Sequence, residues 1–440
     1  MTEERASDDL TSTDNTSVTE HEGKRYRWFV LAMLTVVYTF NFIDRQILVI
    51  LQEPIKAELG LSDTQLGLLT GFSFALVYVL AGIPIAWLAD RSNRRNIVAL
   101  SLAIWSGMTA LSGLVQNYTQ LVLARLGVGL GEAGGSPPAH AMLSDYFPPN
   151  QRATAVSVYS SGIYLGILFG YAAGGWIAQT LGWRQAFFII GIPGVLFAGL
   201  LALTVREPLR GRWEGVSHKT GLRTTLRTLR NRRSFWWFAL GCALTSFVGY
   251  GNGNFFPSLL IRNHGMSVAE VGFALGLVAG VAGAIGTFLG GLLADKLGTR
   301  DTRWYAWVPA LGGVLSLIPA LYTLLGHQTL WIVVALFPAN VLNSLYLGPS
   351  IAMAQTMVSP GMRAMTSAIL FFVLNMIGLG LGPLIVGVLS DAYEPHFGAD
   401  NLRYAMLTTL TIGALGIGCF LLAGRYLIAD LRKAQNPSEG

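Results

Sequence analysis

The chain has 440 residues, of which 52% are hydrophobic and only 12% charged, about half the charged share of a soluble globular protein. Mean hydropathy is +0.51 and formal net charge +6. That balance excludes a disordered chain, a secreted disulfide scaffold and an ordinary soluble enzyme, and leaves a polytopic membrane protein. The 52 glycines and 11 tryptophans suit packed helices in a bilayer with aromatics at its surfaces.

In chain order, residues 1–24 are expected to be a disordered acidic tail: Glu3, Glu4, Asp8, Asp9, Asp14, Glu20 and Glu22 face Arg5 alone, and no apolar signal-peptide core follows a basic start. A helix crossing the hydrocarbon core needs roughly 20 apolar residues. Twelve such runs are predicted, at 28–51, 65–88, 96–115, 119–143, 153–178, 185–205, 235–260, 269–293, 304–325, 329–356, 364–389 and 403–427. The reading is an all-α membrane protein in two six-helix bundles, 25–206 and 234–431, with a basic linker at 207–233 and a short tail at 432–440.

Between Arg206 and Arg233 stand nine basic residues against Glu207 and Glu214, and Arg223, Arg227 and Arg230 recur at helical spacing. A surface helix on an anionic leaflet and a merely solvated linker both fit. Basic residues set orientation. With the N-terminus cytoplasmic, the outer loops keep only Lys56, Arg184, Arg262 and Arg403. Both termini are therefore expected in the cytoplasm, with the protein in the cell (inner) membrane.

The halves echo each other. Ala89-Asp90-Arg91-Ser92-Asn93-Arg94-Arg95 follows run 2 and Ala294-Asp295-Lys296-Leu297-Gly298-Thr299-Arg300 follows run 8; Pro149-x-x-Arg152-Ala153 pairs with Pro360-x-x-Arg363-Ala364. Run 5 carries Gly166, Gly170, Gly174 and Gly175, and run 11 carries Gly378, Gly382 and Gly387. Such a duplication places a substrate site between the halves near the midplane.

The loop after run 2 resembles the signature of the major facilitator superfamily, with Ala86 and Asn93 where two glycines are usual; the second copy has Gly291 and Gly298. The resemblance implies a cytoplasmic gate of Asp90, Arg94 and Asp145. Asn41-Phe42-Ile43-Asp44-Arg45, Gly67-Leu68-Leu69, and Arg125 through Gly131-Glu132-Ala133 resemble the spinster family within it. That likeness implies transport of lysophospholipids or sphingosine-1-phosphate-like lipids.

Four ionisable residues fall well inside the runs: Asp44, Arg45, Arg125 and Glu132. Each costs roughly 2.5–3.5 kcal/mol at the bilayer centre, so a functional role is the default. Asp44 and Arg125 lie roughly 10 Å and 9 Å below the same surface, with Glu132 two turns deeper. Arg125 between two carboxylates would make a proton-sensitive switch. Asp44 is the expected protonation site and Glu132 the second acid, with Arg125 and Arg45 binding an anionic headgroup. A buried ion-pair network that only fixes packing is the alternative.

The C-terminal half offers amides and aromatics instead: Asn252, Asn254, Asn340, Asn343, Tyr346 and Asn375 as polar cavity contacts, and Phe255, Phe256, Phe371 and Phe372 as apolar lining. This suggests a charged half for a headgroup and an apolar half for an acyl chain. His140, near the cytoplasmic end of run 4, is expected to pack or to face water and not to transfer protons. No HExxH, Walker or GxSxG motif occurs; Cys242 and Cys419 lie apart in apolar runs. No enzyme activity, metal or cofactor is expected.

The expected function is proton-coupled secondary transport of an amphipathic lipid by alternating access. The expected partners are that substrate, protons and the membrane, in a monomer that binds no nucleic acid. Transport of small organic anions or hydrophobic drugs is the second reading, and a non-transporting sensor or scaffold the third.

Overall fold

The computed structural model describes residues 4–89, 91–210 and 221–435, with side chains from Gly23 onward except Lys24 and Gln435. Among the described residues every regular element is helical. The first helix, Glu4–Ile50, carries span 1 as Arg25–Ile50. Spans 2 and 3 are Asp63–Ala89 and Arg94–Leu114, span 5 is Pro149–Leu181, and span 6 is Trp183–Thr204. In the second half, span 7 is Arg233–His264, span 8 Val268–Gly298, span 9 Trp304–Leu325 and span 10 Thr329–Thr356. Span 11 runs from Arg363–Leu374 through Asn375–Leu381 into Gly382–Phe397, and span 12 is Asn401–Gln435.

Span 4 differs from the continuous helix expected over 119–143. It is Tyr118–Glu132 followed by Ser136–Tyr146, with a turn between them. The cause is local: Pro137 and Pro138 lack an N–H and their rings crowd the carbonyls one turn back. Glu132 therefore ends a helix.

Nine stretches among the described residues are long and apolar enough to cross a membrane, the last, Pro360–Ala434, holding both spans 11 and 12. The broken span 4 and the Asn- and Gly-containing span 7 complete twelve crossings in two six-helix halves.

The repeat extends to helix starts. Ser62 caps the helix that opens span 2, exchanging hydrogen bonds with Gln65, and Ser267 does the same with Glu270 at span 8. Each serves two backbone donors that a helix start leaves free. Asn93, one of the two departures from the loop signature, caps span 3 by accepting from the Asn96 N–H at 3.0 Å.

The halves meet along two seams, span 5 on span 8 and span 2 on span 11. Both need bare backbone. A Cβ on Gly272 would stand 2.4 Å from the Tyr171 carbonyl oxygen, and one on Gly67 2.3 Å from that of Pro383. Spans 2 and 11 each widen to a π-helical turn, Leu68–Phe72 and Asn375–Leu381, and these turns lie against each other. Gly272→Leu is expected to lower stability by about 1–3 kcal/mol through overpacking. Thermal unfolding in detergent, compared with Gly253→Leu, where a Cβ meets nothing within 4 Å, checks this.

The Asp63 end of the molecule is shut. Arg262 at the end of span 7 donates two hydrogen bonds to the Glu53 carboxylate (2.9 and 2.7 Å) and two to that of Asp63 (both 2.7 Å). Lys56 Nζ and Ser390 Oγ also donate to the fully buried Asp63 carboxylate, at 2.6 and 2.7 Å. The Asp391 carboxylate of span 11 accepts from the Asp63 and Thr64 N–H groups at 3.0 and 2.8 Å, filling the anion-binding start of span 2. Nearby, in the short helix Gln52–Leu59, Glu58 accepts from the Trp183 indole N–H at 2.6 Å. That bond and the adjoining Arg184 guanidinium hold its carboxyl below the usual range.

At the Arg94 end the pattern is opposite. Every ion pair there among the described residues stays within one half: Arg94 with Asp145 at 2.7 Å, Arg94 with Glu207 at 2.9 Å, and Arg210 with Glu207 at 3.9 Å. Among the described residues, ion pairs latch the halves at the Asp63 end only.

Candidate substrate and proton site

Span 1 supplies Asp44 and Arg45, span 3 Ser106, and span 4 Arg125 and Glu132. Asp44 is fully buried, Glu132 is 1% and Arg125 3% exposed. The four charges expected from sequence do converge. Their pairing differs from the expectation.

Arg45 Nε donates to Glu132 Oε2 at 2.7 Å. Arg125 donates at 3.4 Å to the main-chain carbonyl of Asp44, and no ion pair among the described residues joins it to either carboxylate. The reason lies in helix direction. Side chains lean toward the N-terminus of their helix. Span 1 starts at the Arg94 end, so Arg45 leans toward the deeper level of Glu132. Span 4 starts at the Asp63 end, so Arg125 leans away from Glu132. Each guanidinium also meets aromatic faces: Arg45 lies 4.9–5.1 Å from the rings of Phe42, Phe74 and Tyr78, and Arg125 5.5 Å from Phe74. Such contacts stabilise a cation removed from water.

The Asp44 carboxylate has one protein donor, Ser106 Oγ at 3.4 Å to Oδ2, while Oδ1 has none. Glu132 Oε1, Arg125 Nε, Thr109 Oγ1 and Trp105 Nε1 are buried and equally without protein partners. Five unsatisfied polar atoms on three helices of one bundle mark a site that water, a proton or a ligand group completes.

A cavity of about 140 Å³ lies among spans 7, 8, 9, 10 and 12. Its wall is mainly apolar, with Phe256, Leu275, Val278 and Leu317, and its polar groups include Asn252, Asn340 and Asn343. Three of the six proposed polar contacts thus share one chamber. Asn252 also holds helices together, accepting from Thr409 Oγ1 at 2.8 Å and donating to the Met406 carbonyl at 3.3 Å; Asn340 donates back to the Leu336 carbonyl at 2.8 Å. Asn254, Tyr346 and Asn375 do not line it. Tyr346 instead shares a 2.6 Å hydrogen bond with Ser246. Phe255 is core, whereas Phe371 and Phe372 are exposed and do not line the chamber. Of the two roles expected for His140, packing is seen: its ring meets Tyr159 edge to face and its Nδ1 lies 2.9 Å from the Ser136 carbonyl oxygen.

Of the expected gate, Arg94 and Asp145 pair directly and Asp90 lies outside the described residues. Sequence reading missed Glu207, which joins Arg94, and the whole Glu53–Asp63–Arg262 latch. Ser62-x-x-Gln65 would have marked Asp63 as the start of a helix.

Residues 34–383 match the Major Facilitator Superfamily. The chain is 36% identical over 420 residues to an MFS-type efflux pump of Mycolicibacterium smegmatis, covering 95% of this chain and 97% of that protein. It is 29% identical over 406 residues to the probable galactarate/D-glucarate transporter GudP of Bacillus subtilis, covering 85% and 88%. Among solved structures, a bacterial homologue of the human lysosomal transporter spinster, inward-facing and unoccupied, superposes with a TM-score of 0.86 at 34% identity, over 92% of this chain and 98% of that one. The duplicated twelve-helix fold, the intramembrane charges and these similarities together place the chain in the Major Facilitator Superfamily, as a spinster-like transporter.

Proposed function

We propose that the protein moves an amphipathic lipid anion, of the lysophospholipid or sphingosine-1-phosphate kind, across the cell membrane in exchange for or together with protons. Basic residues put the Arg94 end and both termini in the cytoplasm, so the latched Asp63 end faces outward and this state opens inward. The observation that carries the reading is the split pairing of the quartet: Arg45 on Glu132, and Asp44 with an unpartnered oxygen.

A lipid phosphate and the Glu132 carboxylate compete for the same guanidinium. When Glu132 takes a proton its hold on Arg45 weakens, and Arg45 is free to form paired hydrogen bonds to phosphate. Arg125, on the neighbouring level, adds a second cation. Asp44 accepts the transported proton because a buried carboxylate with one long hydrogen bond, from Ser106, and one unpartnered oxygen is costly to leave charged. The apolar chamber in the C-terminal half takes the acyl chain. Asp90, Arg94 and Asp145 close the cytoplasmic end in the opposite state, when the outer latch is released.

Uptake of radiolabelled lysophospholipid into proteoliposomes under an imposed pH gradient tests the proposal. Gradient-dependent uptake above that of protein-free vesicles is expected; uptake indifferent to the gradient would overturn proton coupling. Gly253→Leu, which fills the chamber wall where a Cβ has room, should cut transport of a long-chain lysolipid about tenfold, the effect of roughly 1.4 kcal/mol of lost contact.

A second reading is favoured by the likeness to the galactarate/D-glucarate transporter: two arginines facing two acids also suit a small dicarboxylate. Under that reading Gly253→Leu leaves transport unchanged and glucarate competes with the lipid.

A further inference from the structure

The segment between the halves contains the helix Leu222–Arg230, packed against the starts of spans 7 and 11. At about 100° per residue its positions fall into three sectors. Thr225 and Leu229 are fully buried against the C-terminal half. Leu222 and Leu226, next around the helix, are 50% and 38% exposed. Arg223, Arg227 and Arg230 come on the other side of the leucines, all exposed. None of the three has an ion-pair partner among the described residues.

The start of span 7 fixes the depth of this helix. Trp236, 39% exposed, donates its indole N–H to the Leu229 carbonyl at 3.1 Å, and tryptophan marks the level of lipid headgroups. Arg232 and Ser234 tie the same junction to the end of span 12 through the Asp430 carbonyl and carboxylate. The helix is thus held rigidly at the membrane surface, with exposed leucines beside a row of unpaired guanidiniums. A solvated linker has no use for the leucines, and a purely internal helix has none for the arginines.

We propose that Leu222–Arg230 is a docking face for anionic phospholipid headgroups. Arg223, Arg227 and Arg230 grip the phosphates, and Leu222 and Leu226 enter the acyl layer. Guanidinium geometry suits phosphate oxygens, and basic residues near an anionic leaflet each contribute to attachment. Because the helix packs on span 11, which forms one of the two inter-half seams, bound lipid anchors the C-terminal half while the N-terminal half moves.

Native mass spectrometry of the full-length protein, titrated with phosphatidylglycerol or with phosphatidylcholine of the same chains, tests this. The parent should prefer phosphatidylglycerol. The triple variant R223Q/R227Q/R230Q should lose that preference, with affinity falling on the order of a hundredfold; R227Q alone, a milder change, should lose about fivefold. The triple K296Q/R300Q/R303Q, which removes equal charge from the loop after span 8 at the same end, should bind as the parent does. Equal loss in both triples, no preference in the parent, or displacement of bound phosphatidylglycerol by a soluble polyglutamate peptide would each overturn the proposal.

Discussion

Asp44→Asn protein is expected to insert and fold like the parent, yet to show no response of lysolipid transport to a pH gradient. The substitution keeps the shape and the 3.4 Å contact from Ser106 but fixes the neutral form, so no proton can be exchanged at this position. Exchange of substrate between preloaded vesicles, which needs no net proton movement, should persist. That split separates a coupling residue from a packing residue, since a damaged fold would lose both activities. Glu132→Gln should behave differently. It frees Arg45 from its 2.7 Å partner and should alter apparent substrate affinity as well as coupling. If Asp44→Asn vesicles follow the imposed gradient as the parent does, protonation lies elsewhere.

Arg262→Ala is expected to shift the protein toward the state open at the Asp63 end. The side chain binds two carboxylates, one of them fully buried, and taking one of its two cations from that buried acid, with Lys56 remaining, costs about 2–3 kcal/mol in lost charged hydrogen bonds. Spread over a two-state equilibrium this is on the order of a hundredfold change in the ratio of the two forms. Only the latched form loses the contact, so its population falls. Spin labels at Ala57→Cys and Glu394→Cys, both exposed on opposite halves at that end, would report a longer distance in the variant. An unchanged distance distribution would show that the glycine seams, and not the ion pairs, hold the end shut. Asp63→Asn should act in the same direction but more weakly, because Arg262 keeps its two hydrogen bonds to Glu53 and the single amide oxygen still accepts from one of the two donors, Lys56 or Ser390, that the carboxylate serves on separate oxygens.

Much of this was legible in the residues, and the failures have physical causes. The twelve apolar runs and the repeated Asp90 and Asp295 loops gave the architecture, because a bilayer demands long helices and duplication leaves its offsets. That Asp44, Arg125 and Glu132 would come together followed from the rise per residue. Which arginine would hold Glu132 did not, because depth counting ignores the lean of side chains, opposite on antiparallel helices. The break after Glu132 was readable from Pro137-Pro138, and Ser62-x-x-Gln65 and Ser267-x-x-Glu270 were readable caps. The latch was not. Arg262 meets partners 209 and 199 positions away, and in sequence it is one more loop charge. Three amides of the chamber, Asn252, Asn340 and Asn343, were legible as cavity contacts, but its position and shape were not, since a void is set by how several helices splay.

The one-sided latch has an electrical consequence. Under the proposed coupling, the inter-half contacts from the Asp63 latch to the Tyr164–Thr287 hydrogen bond of 3.0 Å would leave the buried acids open to a single compartment at a time. Under the proposed coupling, an ion entering from the other face would find no continuous path among the described residues, and the driving gradient would not be short-circuited. Vesicles holding the protein but no cargo should therefore keep an imposed voltage as long as bare lipid does.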